Sequence, residues 1–225
     1  MRLSYSRWSC YHECPFKYKC KYILKLREPK GEAMGRGTLI HDMLEQYILG
    51  KTDLLPWNEN NSLGVPAMGA AHPMQSTMEF FKGGQTERVI ELDIDLAPNP
   101  KDGEPAFIAI LDADKFDKDT NTLHIGEWKS GKPYASHAEQ RHMYATVGLG
   151  YLMPDHVIVT THYVDISSNP VELRADYKDF KEMSSVWKNR RESMMNDTIL
   201  APRPNPKCKW CHFRKSNGGI CPIDM

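Results

Sequence analysis

The sequence predicts a mixed α/β fold. Helices open the chain, three consecutive strands follow, and a helix, a strand and a last helix precede a cysteine-rich tail. Three observations carry this. Residues 86–96 alternate apolar and acidic side chains, the period-two pattern of a half-buried strand. Phe107-Ile-Ala-Ile-Leu-Asp-Ala-Asp-Lys-Phe-Asp117 and Leu123-His-Ile-Gly-Glu-Trp-Lys129 flank the turn-forming Asp117-Lys-Asp-Thr-Asn121, which makes them an antiparallel hairpin. Outside this block apolar residues recur at helical spacing, most clearly at 40, 43, 44, 47 and 48.

Taken in order, Ser4 suits the N-cap of a short helix ending at Glu13. Pro15 suits the first turn of a second helix over 16–26, which Glu28-Pro-Lys-Gly31 breaks. Gly35-Arg-Gly-Thr38 leads into the clearest helix, 39–49, ended by Gly50. Residues 51–73 carry Pro, Asn and Gly with little periodicity and read as a loop or lid, followed by a helix over 74–81 that Gly83-Gly84 ends. After the hairpin come a helix over 136–149, a Val-, Ile- and Thr-rich strand over 155–164 and an edge strand over 171–177. The last helix, 177–195, turns Phe180, Met183, Val186 and Trp187 inward.

The 225 residues, 40% of them apolar, suffice for a single domain with its own core. The N-terminus lacks the apolar stretch of a secretion signal and no run approaches membrane-spanning length, so a cytoplasmic protein without membrane contact is expected. Lys plus Arg equals Asp plus Glu at 29 each, so any nucleic-acid partner must be met by local patches. Lys17, Lys19, Lys21, Lys25, Arg27 and Lys30 form one such patch, and Arg203, Lys207, Lys209, Arg214 and Lys215 another.

The hairpin carries the chemistry. Side chains alternate across a strand, so Asp112 and Asp114 share one face, Glu127 and Lys129 share one face, and Trp128 points the other way. With matching register, Asp114, Glu127 and Lys129 converge. Two carboxylates and an ammonium are costly to hold together unless a hard cation such as Mg2+ or Mn2+ sits between the oxygens. That is the outline of metal-dependent phosphodiester hydrolysis, in which a cation activates the nucleophile and neutralises charge growing on the phosphate.

Several short matches in series extend this reading: Ser4-Tyr-Ser-Arg-Trp8 with Cys14-Pro-Phe-Lys-Tyr18, Gly37-Thr-Leu-Ile-His41, Leu111-Asp-Ala-Asp114, Glu127-Trp-Lys129 with Ser130-Gly-Lys132, and Gln140-Arg-His-Met-Tyr144. In this order the chain resembles the PD-(D/E)XK nuclease superfamily, in particular its RecB-like exonuclease branch. The resemblance implies a restriction-endonuclease-like αβββαβ core. It makes His41, Asp114, Glu127 and the backbone carbonyl of Trp128 the ligands of Mg2+ or Mn2+, with Lys129 positioning the attacking water. Gln140 and Tyr144, one helical turn apart, would touch the DNA backbone or brace the catalytic residues. Relatives often carry Gly three residues before the metal-binding Asp, where this chain has Leu111, so Asp112 is a second candidate. Asp114 is preferred because Lys115-Phe-Asp117 follows it in the family manner.

The six cysteines lie at the two ends of the chain, a distribution that points to metal or redox chemistry. Cys208-Lys-Trp-Cys211 and Cys221 supply three soft ligands, and one more from the N-terminal helices would complete a four-thiolate site. The chain is similar here to AddB-type and CRISPR-associated nuclease domains, in which one early and three late cysteines hold a [4Fe-4S] cluster. This implies Cys14 as the early ligand; Cys10, four residues earlier and so on the same face of a continued helix, is the substitute candidate, and Cys20 reads as a buried thiol. The insert holding Asn217-Gly-Gly219 departs from the usual spacing, and His212 could serve a structural Zn2+ instead. Residues 1–34 and 196–225 would then pack together as a metal-bound lobe of one domain, 1–225.

The expected function is a metal-dependent DNA exonuclease acting on DNA ends or single strands. It would serve recombination, repair or CRISPR adaptation in a phage or prokaryote, in the host cytoplasm if phage-encoded. A single-strand annealing protein or an integration complex is the expected protein partner. A non-catalytic metal-stapled DNA-binding scaffold and a structure-specific endonuclease are the alternatives. The interleaved Tyr5, Trp8, Tyr11, Phe16, Tyr18 and Tyr22 suit either base stacking or a core, with a core favoured for over half.

Overall fold

Apolar alternation and turn chemistry give one five-stranded sheet in a computed structural model that describes residues 1–29, 32–58, 63–98, 103–166 and 169–223. Its strands are β1 (Gln85–Leu92), β2 (Phe107–Asp117), β3 (Thr122–Lys129), β4 (His156–Tyr163) and β5 (Val171–Asp176), neighbours in that order. β1, β2 and β3 form an antiparallel meander, β4 lies parallel to β3, and β5 is an antiparallel edge. A parallel pair needs a crossover, and α5 (Ser136–Leu152) supplies it. The expected αβββαβ core is therefore present. β1 stops at Leu92, short of the expected 96, because the Asp93 carboxylate accepts from the N–H groups of Asp95 and Ala97 and turns the chain.

α1 (Tyr5–Glu13) is capped as expected, with Ser4 Oγ accepting from Arg7 N. α2 (Pro15–Tyr18) passes into a π-helical turn at Lys19–Ile23, so the second helix ends before residue 26. Lys30 and Gly31 lie outside the described residues. α3 (Glu32–Ile48) begins earlier than expected and runs through Gly35 and Gly37. A methyl group on Gly37 would stand 3.2 Å from Ser130 Oγ, so a glycine there lets the helix approach the end of β3. Arg36 and Asp165 form a two-pronged ion pair at this point, and Asp165 also accepts from Gly131 N at 2.8 Å. α4 (Gln75–Phe81) and α6 (Phe180–Asn196) complete the helices.

The sheet has a core on each face. On one side α1, α5 and α6 bury Trp187, Leu149 and Val147 against Leu123, Ile125, Val157 and Val159. Trp8, Tyr11 and Tyr18 belong to this core and Tyr5 and Tyr22 pack against it, which removes three of the six N-terminal aromatic residues from any stacking role. On the other side α3 and α4 bury Ile40, Leu44, Met78 and Phe81 against Trp128 and Val164. Residues 51–73 are expected as a loop or lid, and their described part is mostly loop, but it is built into this second core: Trp57 is wholly buried and stacks on buried His72 at 4.1 Å. Pro and Gly masked an apolar content that has no helical or strand period to reveal it. The C-terminal tail lies against α1, where Tyr11 O–H donates to Asp197 at 2.9 Å and Asn205 Nδ2 donates to Glu13 O at 3.2 Å.

Candidate active site

The two cores meet at a seam in β2. Residues two apart in a strand share a face, yet Leu111 packs on the α5 side and Ala113 on the α3 side. The switch falls at Asp112. Opposite it in the register, between the pairs Thr86 with Ala113 and Arg88 with Leu111, stands Glu87 with a φ of 47°, a left-handed conformation that non-glycine residues rarely adopt.

This local kink decides which carboxylate faces the site. Asp114 turns to the α5 side, where it is 1% exposed and receives Arg88 Nε at 2.7 Å. Burial raises its pKa, opposed by the Arg88 charge. The structure does not bring Asp114 to His41, and this corrects the sequence reading, which assumed unbroken alternation. Asp112 takes that place: its Oδ1 lies 3.4 Å from His41 Nδ1, and its Oδ2 accepts from Trp128 N at 2.7 Å. His41 reaches it from α3, beside the buried stripe of Ile40 and Leu44. Ligand atoms of His41, Glu87 and Asp112 all lie within 4.8 Å of one another.

Glu127 and Lys129 do share a face, as expected, and Lys129 Nζ donates to Glu127 Oε1 at 2.5 Å. Trp128 points away into the second core, which seats its indole edge where a side chain on Gly126 would collide with it. Gln140 donates from Nε2 to Glu127 Oε1 at 2.8 Å and to Tyr144 Oη at 3.0 Å, while Tyr144 O–H donates to Ile110 O at 2.9 Å. Both therefore brace the centre from α5. Glu127 is 3% exposed, and its Oε2 is buried without a hydrogen-bond partner. Burial, then the Asp112 charge, pushes its carboxyl up to about 8 against the pull of Lys129. Burial lowers the His41 pKa, but the hydrogen bond and charge of Asp112, then Glu127, raise it overall.

The imidazole of His41 and the carboxylates of Glu87 and Asp112 form a donor set of the kind hard divalent cations take, and Glu127, whose carboxyl feels the charges of Asp112 and His41, keeps an orphaned buried oxygen near it. Among these residues the sequence reading missed Glu87. Its signal was its place in the acidic alternation of the first strand, which only the register with β2 connects to the site. Cys14, Cys208, Cys211 and Cys221 line one cavity at the chain ends, distinct from this centre. Arg203 N donates to Cys14 Sγ at 3.3 Å and Asn205 N to Cys208 Sγ at 3.4 Å. Cys20 is wholly buried, and burial pushes its thiol up to about 11.

No curated protein matches the sequence. Among solved structures, a candidate exonuclease from Eubacterium rectale shares 11% identity at a TM-score of 0.50, over 100% of this chain and 90% of that one. LHK-Exo, solved in complex with dAMP, shares 12% identity at a TM-score of 0.44 over 86% of this chain and 88% of that one. SSO0001 shares 16% identity at a TM-score of 0.44 over 100% and 87%. The family model of the PD-(D/E)XK nuclease superfamily matches residues 2–216, a span that takes in the whole sheet and the seam where His41, Asp112, Glu127 and Lys129 meet, and the chain belongs to that superfamily.

Proposed function

We propose that this nuclease is a RecB-like, Mg2+- or Mn2+-dependent DNA exonuclease that hydrolyses phosphodiester bonds at ends or in single strands. The observation that carries the metal-dependent reading is the set of ligand atoms that His41, Glu87 and Asp112 hold within 4.8 Å of one another, with the buried, unpartnered Oε2 of Glu127 near them. His41, Asp112 and Glu127, with Glu87 beside them and the Trp128 carbonyl, would hold the cation. When bound, it would polarise the phosphate and lower the pKa of water.

The chain's own groups do the rest. Lys129 orients the attacking water and offsets charge on the phosphate, Gln140 fixes Glu127 in a single rotamer, and Tyr144 fixes Gln140. The RecB-like branch rests on the order of the short motifs, and the exonuclease class on that resemblance. Roles in recombination, repair or CRISPR adaptation, and a single-strand annealing protein or integration complex as partner, belong to the same proposal. No helix among the described residues is long and apolar enough to cross a membrane.

The second metal centre is part of the reading. Cys14, Cys208, Cys211 and Cys221 around one cavity, two of them receiving backbone N–H groups, support a [4Fe-4S] cluster that joins residues 1–34 and 196–225 within one domain.

End-labelled single- and double-stranded DNA, incubated with Mg2+, Mn2+ or EDTA, tests the catalytic reading. Wild type should cut only with metal, and Lys129→Ala should lose at least about 100-fold in rate while remaining folded. Cleavage in EDTA, or undiminished cleavage by Lys129→Ala, overturns it.

A further inference from the structure

The sheet forks beside the candidate active site. β3 pairs with β2 along residues 113–117, and beyond Ala113 β2 runs on to Phe107 without a described β3 partner. At the far end of this free stretch Leu3 bridges to Phe107, with Leu3 N donating to Ala106 O at 2.8 Å and Ile108 N donating to Leu3 O at 2.9 Å. Between fork and bridge lies a groove walled by the first turn of α1 on one side and by Gln140 and Tyr144 of α5 on the other.

The groove lies beside the centre. Ile110, 48% exposed on its floor, stands two residues before Asp112, about 7 Å along the strand. Its far wall is the Tyr144–Gln140 pair that braces Glu127.

The lining has one chemical character. Arg2 and Arg7 supply guanidinium groups, Ser4 and Ser6 supply hydroxyls with their Oγ atoms 3.0 Å apart, Ile108 and Ile110 supply an apolar floor, and among the described residues no carboxylate lines it. Arg7 is set in place by donating to Arg2 O at 2.8 Å and lies 5.3 Å from the Tyr22 ring centroid. Arg2 has a carboxylate neighbour outside the groove, Glu91 at 3.3 Å, but both partners are widely exposed, so that pair holds it weakly. Paired cations and hydroxyls over an apolar floor suit an anion carried on a flat, partly apolar body. A nucleotide within a strand is such a ligand.

We propose that this groove is the subsite for the nucleotide next to the scissile bond, in which Arg2, Arg7 and the two serines grip its phosphate while sugar and base lie over Ile110. The proposal rests on the nuclease reading and gives Ser4-Tyr-Ser-Arg-Trp8 a role besides starting α1. It sends one strand of nucleic acid out between α1 and β2.

Binding in EDTA separates this from catalysis. A labelled single-stranded oligodeoxynucleotide is titrated with the full-length protein over a range of salt, using wild type, Arg2→Gln/Arg7→Gln, Ser6→Glu and Lys178→Gln/Lys181→Gln. The arginine variant should bind at least about tenfold more weakly, and its slope of log K against log salt should flatten by about 0.7, the value of one lost phosphate contact on a single strand. Ser6→Glu, which leaves both arginines, should also bind at least tenfold more weakly. Lys178→Gln/Lys181→Gln removes the same charge beyond the opposite edge of the sheet and should bind as wild type. Groove variants that match wild type in affinity and slope, a control that weakens equally, or a wild type that does not bind overturn the groove. A wild type that binds through the groove yet never cuts with metal fails the nuclease reading alone.

Discussion

A carboxylate beside a guanidinium and a carboxylate beside an imidazole differ in what they can give to a cation. Asp114 is neutralised by Arg88, an always-charged partner at 2.7 Å, and is closed from solvent, so its oxygens serve the fold. Asp112 is held by a neutral backbone N–H and by His41, which can itself ligate a metal, so its charge is left for the centre. Asparagine at each position should therefore separate the roles. Asp112→Asn should cut DNA at least about 100-fold more slowly with a urea midpoint near that of wild type. Asp114→Asn should keep most cleavage but lose about 2 kcal/mol of stability. That lies below the roughly 3–5 kcal/mol of a fully buried broken pair, because the Arg88 side chain is 28% exposed. A reversal of the two phenotypes would restore Asp114 as the metal ligand.

At the scale of elements, α5 works on two sides. Its Gln140 and Tyr144 face the Glu127 side of the sheet, while His142 faces α6, receiving Trp187 Nε1–H on Nδ1 at 2.9 Å. That hydrogen bond needs a bare Nδ1, hence a neutral ring. Burial first, and then the charge of Arg190, lower the His142 pKa below its ordinary value. A histidine with a depressed folded-state pKa contributes stability that is fully present above the unfolded value near 6.5 and is lost as pH falls below it. Between about pH 7.5 and about pH 5, wild type should lose about 1 kcal/mol more than His142→Gln, which accepts a hydrogen bond without titrating. Equal losses by chemical denaturation would sink this. The same elements show what was legible. The hairpin, α5 and the Glu127-x-Lys129 pair could be read because local alternation and turn residues determine them. The early start of α3 could not, since Gly35 and Gly37 hide a helix that packing against Ser130 favours. Nor could the choice between Asp112 and Asp114, because the face switch in β2 is set jointly with Glu87 on another strand.

At the scale of the whole molecule, the tail buries little apolar surface of its own. Among residues 201–223 only Phe213 is fully buried, a contribution of about 2–3 kcal/mol. The pair of Lys207 with Glu13, the lysine side chain 71% exposed, adds at most about 1 kcal/mol. In the proposed reading, a metal held by the four cysteines around their shared cavity would cross-link the chain ends, tying the tail to the helix whose first turn walls the groove. Cys208→Ser, purified without oxygen, should lose visible absorbance and iron. A stability loss of about 3 kcal/mol should lower its Tm by roughly 6–12 °C for a chain of this size. Cys14→Ser should behave like Cys208→Ser, whereas Cys10→Ser should retain iron; the opposite pattern would make Cys10 the early ligand. Zinc in place of iron in the wild type would replace the cluster but keep the tie. Unchanged metal content and melting in both Cys14→Ser and Cys208→Ser would mean that something other than these thiols holds the two ends of the chain together.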